Sequence, residues 1–97
     1  MWRKGGIMKE SDQYIEYLRV IKNASEHTLR NYSIDLSLLQ SFELPAIGRK
    51  EIRDIIQELY NQNLKKRTIA RKLSCFRSFF SYCLKEKLIS EDPMEGI

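Results

Sequence analysis

Apolar residues recur every three or four positions in the segment RTIARKLSCFRSFFSYCLKEK, which covers residues 67–87. This spacing predicts a long α-helix with one buried side. The opposite side carries Arg71, Ser74 and Ser78, and the segment has no acid before Glu86. A helix with one apolar side needs other elements to cover that side, so the rest of the chain must fold around it. The apolar positions are Ile69, Leu73, Phe76, Phe80, Cys83 and Leu84.

Three further segments have the same helical spacing, and no segment has the alternation of apolar and polar residues that is typical of a strand. The predicted helices cover about residues 8–22, 26–42 and 49–61, and their apolar stripes include Ile21 and Tyr60. Four helices joined by short loops predict an all-α domain, packed either orthogonally or as a compact bundle.

Polar residues separate the predicted helices. Ser25 is a good N-cap for the second helix, because its hydroxyl can accept a hydrogen bond from a free amide of the first turn. The Asn-Gln-Asn at residues 61–63 should end the third helix, since asparagine tolerates the left-handed backbone. Turn-forming residues after Ile89 end the helical pattern, and Gly96 and Ile97 are expected to fray.

The excess positive charge of the chain belongs to one segment. The 97 residues have a formal net charge of +4, and residues 59–85 contain seven bases and no acid. Bases and acids balance in residues 1–58, with nine of each. Such asymmetry favours a polyanionic partner. The alternative is that the basic stretch is only a solvated helix face.

The composition limits the class of protein. A hydrophobic content of 42% in 97 residues is enough for one small domain with one core. No apolar run approaches the roughly 20 residues that span a bilayer, and the first residues lack the apolar region of a signal peptide. We therefore expect no membrane association and a cytoplasmic location.

Reactive side chains are few and form no recognisable catalytic set. Cys75 and Cys83 lie in one predicted helix, about 12 Å apart along its axis, which is too far for a disulfide. Both are expected to be buried as small hydrophobic residues. His27 is the only histidine of the chain and is expected to be exposed. We therefore expect no catalytic residue, no metal site and no cofactor.

The polar side of the fourth helix suits nucleic acid. Arginine and lysine neutralise phosphates, and serine and threonine bond to phosphates or bases without bulk. A solvated helix face would normally include glutamates that pair with bases on the same helix, and this face has none. The start of the second helix offers a weaker companion surface, made of Ser25, His27, Thr28, Arg30 and Asn31. Nucleic acid is therefore the favoured partner, and the two surfaces together could embrace a duplex.

Two segments resemble a known family. SEHTLRNYSIDLSLLQSF (25–42) is similar to a helical pattern that contains Thr-Leu, then Tyr, then Asp-Leu in this order. RTIARKLSCFRSFFSYCLKEKLISEDP (67–93) is similar to Thr-Ile-x-Arg-x-Leu-Ser-x-Phe/Leu-Arg-x-Phe-Phe-x-Tyr followed by Asn/Asp-Pro. Both patterns resemble the N-terminal SAM-like, or core-binding, domain of tyrosine recombinases of the phage integrase and Xer type.

The resemblance implies a four-helix domain of orthogonally packed helices that forms one jaw of a clamp around DNA. It implies a DNA-binding domain over residues 8–92, preceded by a flexible segment (1–7). Residues 93–97 would begin a linker to a separate catalytic domain that holds the family's tyrosine nucleophile. Other recombinase protomers would be partners of the full-length protein, and the isolated domain would be a monomer. The DNA contacts implied by the resemblance are Thr28, Arg30, Asn31, Lys66, Arg67, Thr68, Arg71, Ser74 and Arg77.

Two further residues match family positions. Tyr32 is expected in the core, and Asp35 is expected to be a hydrogen-bond anchor rather than a catalytic acid. Arg77 is either a DNA contact or the ion-pair partner of an acid such as Asp35, and the resemblance leaves both possibilities open.

Two other interpretations compete with a DNA clamp. A helix-turn-helix regulator would join its two DNA-contacting helices by a tight turn, whereas here a whole predicted helix separates them. A helical protein-interaction domain would instead use the basic face to dock an acidic partner.

Overall fold

The computed structural model of the chain describes residues 8–97, without the side chains of Met8 and Pro45. Its four α-helices are α1 (Met8–Val20), α2 (Glu26–Leu36), α3 (Arg49–Asn61) and α4 (Lys66–Lys85). Two short 3-10 helices, Ser37–Leu39 and Leu44–Ala46, connect α2 to α3, and no strand occurs in this part of the chain. The predicted all-α fold of four helices is confirmed. The predicted flexible segment 1–7 lies outside the described residues.

Polar residues stabilise several of the helix boundaries. The hydroxyl of Ser25 accepts a hydrogen bond from the backbone N–H of Thr28 at 3.1 Å, which confirms the predicted N-cap of α2. Asn63 has a φ of 59° beyond the end of α3, as expected for asparagine at a helix end. Arg19 and Glu26 form an ion pair at 2.9 Å that connects the end of α1 to the start of α2.

Three helices are shorter than the apolar spacing predicts, and the first of them, α1, ends at Val20 rather than at residue 22. The α-helical part of α2 stops at Leu36 instead of continuing to residue 42, and the Ser37 hydroxyl donates to the carbonyl of Ile34 where the helix tightens into a 3-10 turn. Serine is prone to such backbone bonding, which competes with regular helix. The last helix ends at Lys85 rather than Lys87.

The helix α4 is the centre of the fold, and α1, α2 and α3 all contact it. Phe76, Phe79 and Phe80 have no solvent exposure. Phe79 was not among the apolar positions that were predicted to be buried. The prediction assumed that only one side of α4 is covered, whereas several elements pack around this helix. Leu84, predicted in that arc, is 41% exposed.

Two other predicted core residues are also exposed. Ile21 is 65% exposed and Tyr60 is 53% exposed, so both predictions are wrong. Ile21 follows the last residue of α1, and Tyr60 lies in the final turn of α3, where the neighbouring helices no longer cover the stripe. The predicted burial of Cys75 and Cys83 is confirmed, since both residues are fully buried.

The last residues of the chain pack against the helices instead of fraying. Pro93 and Met94 are buried, and Ile97 is half-buried. Arg77 donates a hydrogen bond to the backbone carbonyl of Ile97 at 3.2 Å. Residues 93–97 are therefore part of the folded unit here, and their predicted role as the start of a linker stays a prediction.

Candidate nucleic-acid interface

The outer side of α4 is basic and rich in hydroxyls, and its inner side is aromatic. Arg71, Ser74 and Ser78 are exposed, whereas Phe76 is fully buried and Leu73 is half-buried. The register of the helix is therefore the one that the apolar spacing predicts. We use the name basic face for the exposed outer residues of α4, which are Arg67, Arg71, Ser74, Ser78, Ser81 and Lys85.

The helix α2 runs antiparallel to α4 along their contact. Asp35, near the end of α2, meets Arg71 in the first half of α4. One turn earlier in α2, the carbonyl of Tyr32 lies 3.9 Å from the sulfur of Cys75. Thr28, near the start of α2, lines one groove together with Ser78. The start of α2 therefore lies beside the second half of α4, and not beside Lys66 and Arg67 at its beginning.

The polar side chains at the start of α2 are ordered by local hydrogen bonds. The Ser25 hydroxyl donates to the Thr28 hydroxyl at 3.1 Å. The amide nitrogen of Asn31 lies 3.1 Å from Nε2 of His27. His27 and Arg30 are exposed, while Thr28 and Asn31 are half-buried. The exposure of His27 agrees with its prediction as a surface residue.

Asp35 lies at the junction of α2 and α4 and is completely buried. Its Oδ1 accepts hydrogen bonds from Arg71 Nη2 at 3.0 Å and from Lys72 Nζ at 2.9 Å. The other oxygen, Oδ2, accepts no hydrogen bond from the described part of the chain. Asp35 is thus an anchor, as predicted, and its cations are Arg71 and Lys72 rather than Arg77, which was left open as an alternative partner. Arg77 lies six residues beyond Arg71 on α4 and binds the carbonyl of Ile97 instead.

A groove of about 510 Å³ lies between α1, the start of α2 and the second half of α4. Its aromatic floor is a group of tyrosines, in which the rings of Tyr17 and Tyr82 have centroids 5.0 Å apart. Burial, followed by the charge of Glu86, raises the pKa of Tyr82. The cations of this groove are Lys22, Arg77 and Lys85, and its small hydroxyl residues are Thr28, Ser78 and Ser81.

A larger groove of about 850 Å³ lies between segments 44–49 and 87–93. Its lining includes Arg49 and Lys87 but also the acids Glu91 and Asp92. The mixed charge makes this groove a poorer site for a polyanion than the smaller groove, in which Glu86 is the only acid among the lining residues that the structure describes.

The predicted contact residues are spread along one surface of α2 and α4 rather than gathered at one point. Between Lys66 and Arg77 the axis of α4 rises by about 16 Å. Two lysines beside this surface were missed. The cation of Lys72 is directed inward to Asp35, and Lys22 reaches the groove only because α1 folds against α4. Of the predicted residues, Arg30, Lys66, Arg67, Arg71, Ser74 and Arg77 are exposed, and Thr28, Asn31 and Thr68 are half-buried.

Cys75, Cys83 and Tyr14 are buried in the core of the domain. Burial raises the pKa of Cys75 and of Cys83 to about 12, so both thiols stay protonated at neutral pH. Burial also raises the pKa of Tyr14 well above its ordinary value. Within residues 8–97, no group of three ligating side chains is suited to a metal ion, and no helix is both long and apolar enough to cross a bilayer.

Known proteins resemble this chain over most of its length. Residues 11–87 match the phage integrase, N-terminal SAM-like domain. The tyrosine recombinase XerC of Chlamydia caviae is 38% identical over 109 aligned positions, which cover 87% of this chain and 35% of that protein. XerC of Anoxybacillus flavithermus is 36% identical over 87 positions, covering 82% and 29% respectively. XerC of Bacillus subtilis is 32% identical over 89 positions, covering 84% and 29%. No solved structure matches at a significant level.

The match includes α2, α3 and α4, and therefore the whole of the surface described above. The chain spans about a third of the length of the curated relatives that it matches. Because the family match covers more than half of the residues and the fold has the four helices that the resemblance implies, the chain belongs to the family of phage integrase N-terminal SAM-like domains.

Proposed function

We propose that this chain binds double-stranded DNA as the clamp domain of a site-specific tyrosine recombinase. The observation that carries the proposal is the exposure of the basic face, which has cations and small hydroxyl residues and no acid between Lys66 and Lys85. A face of this composition attracts phosphates and displaces their counterions. Its small residues let the helix backbone come close to the bases.

The length of α4 supports insertion into the major groove. A helix of 20 residues is about 30 Å long, and the major groove of B-DNA, about 12 Å wide, admits an α-helix. We propose that the arginines and lysines of the surface contact phosphates or guanine edges, and that the hydroxyl and amide side chains bond to phosphates or bases. The proposed contacts are Thr28, Arg30, Asn31, Lys66, Arg67, Thr68, Arg71, Ser74 and Arg77.

The relatives that are named tyrosine recombinases suggest the role of a longer protein. We propose that this domain acts together with a catalytic domain that cuts and rejoins DNA, with the catalytic residues outside this chain. Full-length protomers would then assemble with one another on the recombination site. The cytoplasmic location expected from the sequence is consistent with a DNA substrate and stays a prediction.

An NMR titration tests the proposed binding surface directly. A mixed-sequence duplex of about 20 base pairs, or two helical turns, is added to the isotope-labelled chain, and the amide shifts are followed. We expect the shifts to change in residues 25–31 and 66–78 and to stay unchanged around Asp54 and Glu58 of α3. Shifts that change chiefly in α3, or no change at millimolar concentrations, would contradict the proposal.

A protein partner with an acidic surface is the second candidate, because the basic face would attract any polyanion. Polyglutamate serves as the competitor. If the chain is a DNA clamp, polyglutamate at the same charge concentration should displace the duplex only weakly, since a flexible chain does not reproduce groove geometry. Equal binding of polyglutamate and duplex at the same residues would favour the acidic partner instead.

A further inference from the structure

We propose that Asp35 is a positioning residue for DNA binding, which orients the guanidinium of Arg71 while Lys72 balances the charge of the carboxylate. The inference rests on the proposed function and assigns separate roles to the three members of one ion-pair cluster. All three come together at Oδ1 of Asp35, at 3.0 Å from Arg71 and 2.9 Å from Lys72.

The two cations differ in their exposure. The side chain of Lys72 is only 12% exposed, whereas that of Arg71 is 44% exposed, although both bind the same carboxylate oxygen. Lys72 is thus held inside as the counterion of Asp35. Arg71 uses one of its five N–H donors on Asp35 and keeps others toward solvent, where a phosphate or a guanine edge can accept them.

Stability alone does not account for this cluster. Burying charges is costly, and a buried ion pair is often no more stable than apolar side chains of similar volume. Asp35 also has an oxygen, Oδ2, without a hydrogen-bond donor in the described residues. Unlike an apolar side chain, the carboxylate of Asp35 supplies a fixed hydrogen-bond acceptor. This acceptor limits the rotamers of Arg71 before DNA binds. Such preorganisation lowers the entropy cost of binding.

The variant Asp35→Asn distinguishes positioning from simple electrostatics. The substitution removes a negative charge beside the DNA, so charge alone predicts tighter binding to the polyanion. A positioning role predicts weaker binding instead, by roughly tenfold. A loss of this size lies within the range of interaction energies between residues of one ion-pair network. Asp54→Asn on α3 is the matched control, since it removes the same charge away from the basic face. It should bind a mixed-sequence duplex of about 20 base pairs at least as tightly as the wild type.

A double-mutant cycle shows whether Asp35 acts through Arg71. If it does, Asp35→Asn should weaken binding in the wild type but cause no further loss when Arg71 is already alanine. Equal losses in both backgrounds would mean that Asp35 acts on the domain in general, and would overturn the inference. A duplex affinity of Asp35→Asn equal to or above that of the wild type would overturn it too. Failure of the wild-type chain to bind the duplex would overturn the proposed function itself.

A second variant covers the case in which Asp35→Asn does not fold. Asp35→Leu combined with Lys72→Met replaces the buried ion pair by apolar side chains, a change that commonly preserves stability. Arg71 is retained but loses its acceptor. We expect this variant to melt near the temperature of the wild type and to bind the duplex about tenfold more weakly. Wild-type affinity in the folded double variant would contradict a positioning role.

Discussion

The ring of Tyr14 in α1 lies edge-on to the ring of Phe79 in α4, with 5.5 Å between the centroids. Both residues are buried, and Phe79 also lies beside Phe80, 5.2 Å away. The pair joins the first helix to the last, so the contact that closes the domain is aromatic. Since the basic face is the other side of the same α4 helix, core packing fixes the direction in which the cations point.

Truncation of a core aromatic should greatly destabilise the domain. Phe79→Ala, and equally Phe80→Ala, is expected to lower the free energy of unfolding by about 3–5 kcal/mol, because a buried aromatic ring leaves a cavity. Urea denaturation followed by circular dichroism measures the change. Leu84→Ala on the same helix is the control and should cost less than about 1 kcal/mol, since Leu84 is 41% exposed. Similar losses for Phe79→Ala and Leu84→Ala would contradict the burial of Phe79 and the exposure of Leu84.

The end of α4 is strained at Lys87. This residue has a left-handed φ of 61°, and the N–H of Leu88 donates to the carbonyl of Cys83 at 2.9 Å, which closes the helix in a Schellman motif. Glycine adopts this conformation without a steric penalty. Lys87→Gly should therefore raise the free energy of unfolding by up to about 1 kcal/mol.

The control for the helix end is Lys85→Gly, which removes the same charge from the last turn of α4. It should lower the free energy of unfolding by about 1 kcal/mol, the ordinary cost of glycine within a helix. Thermal melts of the two variants, compared with the wild type, measure both changes. Destabilisation by both glycines would contradict the left-handed assignment of Lys87.

The buried thiols should make the domain less stable in alkali. The pKa of Cys75 and of Cys83 is about 12 in the folded chain, against about 8.5 for an exposed thiol. The stabilisation is therefore complete below about pH 8.5 and is lost as the pH rises toward 12, because the unfolded chain releases its protons first. Between about pH 7.5 and about pH 9.5 we expect a loss of about 1 kcal/mol for each thiol.

The pH dependence is measured by urea denaturation at the two pH values. The double variant Cys75→Ala/Cys83→Ala lacks both groups, so its free energy of unfolding should change much less between them, even though it starts lower. An equally steep fall in the variant would show that the thiols are not the groups responsible. The range stays below the ordinary pKa of tyrosine, about 10, so Tyr14 contributes little to it.

The sequence predicts those features that depend on local spacing. The periodicity of α4 identifies both of its sides, and Ser25 identifies the start of α2, because a helix turn and a hydrogen-bonded cap involve only near neighbours. The partners of Asp35 were predicted less well. The carboxylate was expected to be an anchor, but its cations, Arg71 and Lys72, follow from the antiparallel contact of α2 with α4, which no local pattern specifies.

The groove beside Lys22 could not be predicted for the same reason. Lys22 follows the first helix, and Tyr82 and Lys85 lie near the end of the last one, so only the tertiary fold brings them to one groove. The burial of Phe79 was missed for a different reason, because it depends on how many elements cover α4. A periodic pattern indicates one apolar side but not the width of the covered surface.

The salt dependence of duplex binding tests most directly whether the basic face binds DNA. The affinity of the chain for a mixed-sequence duplex is measured at several salt concentrations, together with Arg71→Ala and the control Lys50→Ala. Lys50 is an exposed cation of α3 that pairs with Asp54. We predict a linear fall of log affinity with log salt for the wild type. Arg71→Ala should bind more weakly, with a slope shallower by about 1, and Lys50→Ala should match the wild type. An affinity that does not depend on salt, or an equal loss in both variants, would contradict a DNA-binding basic face.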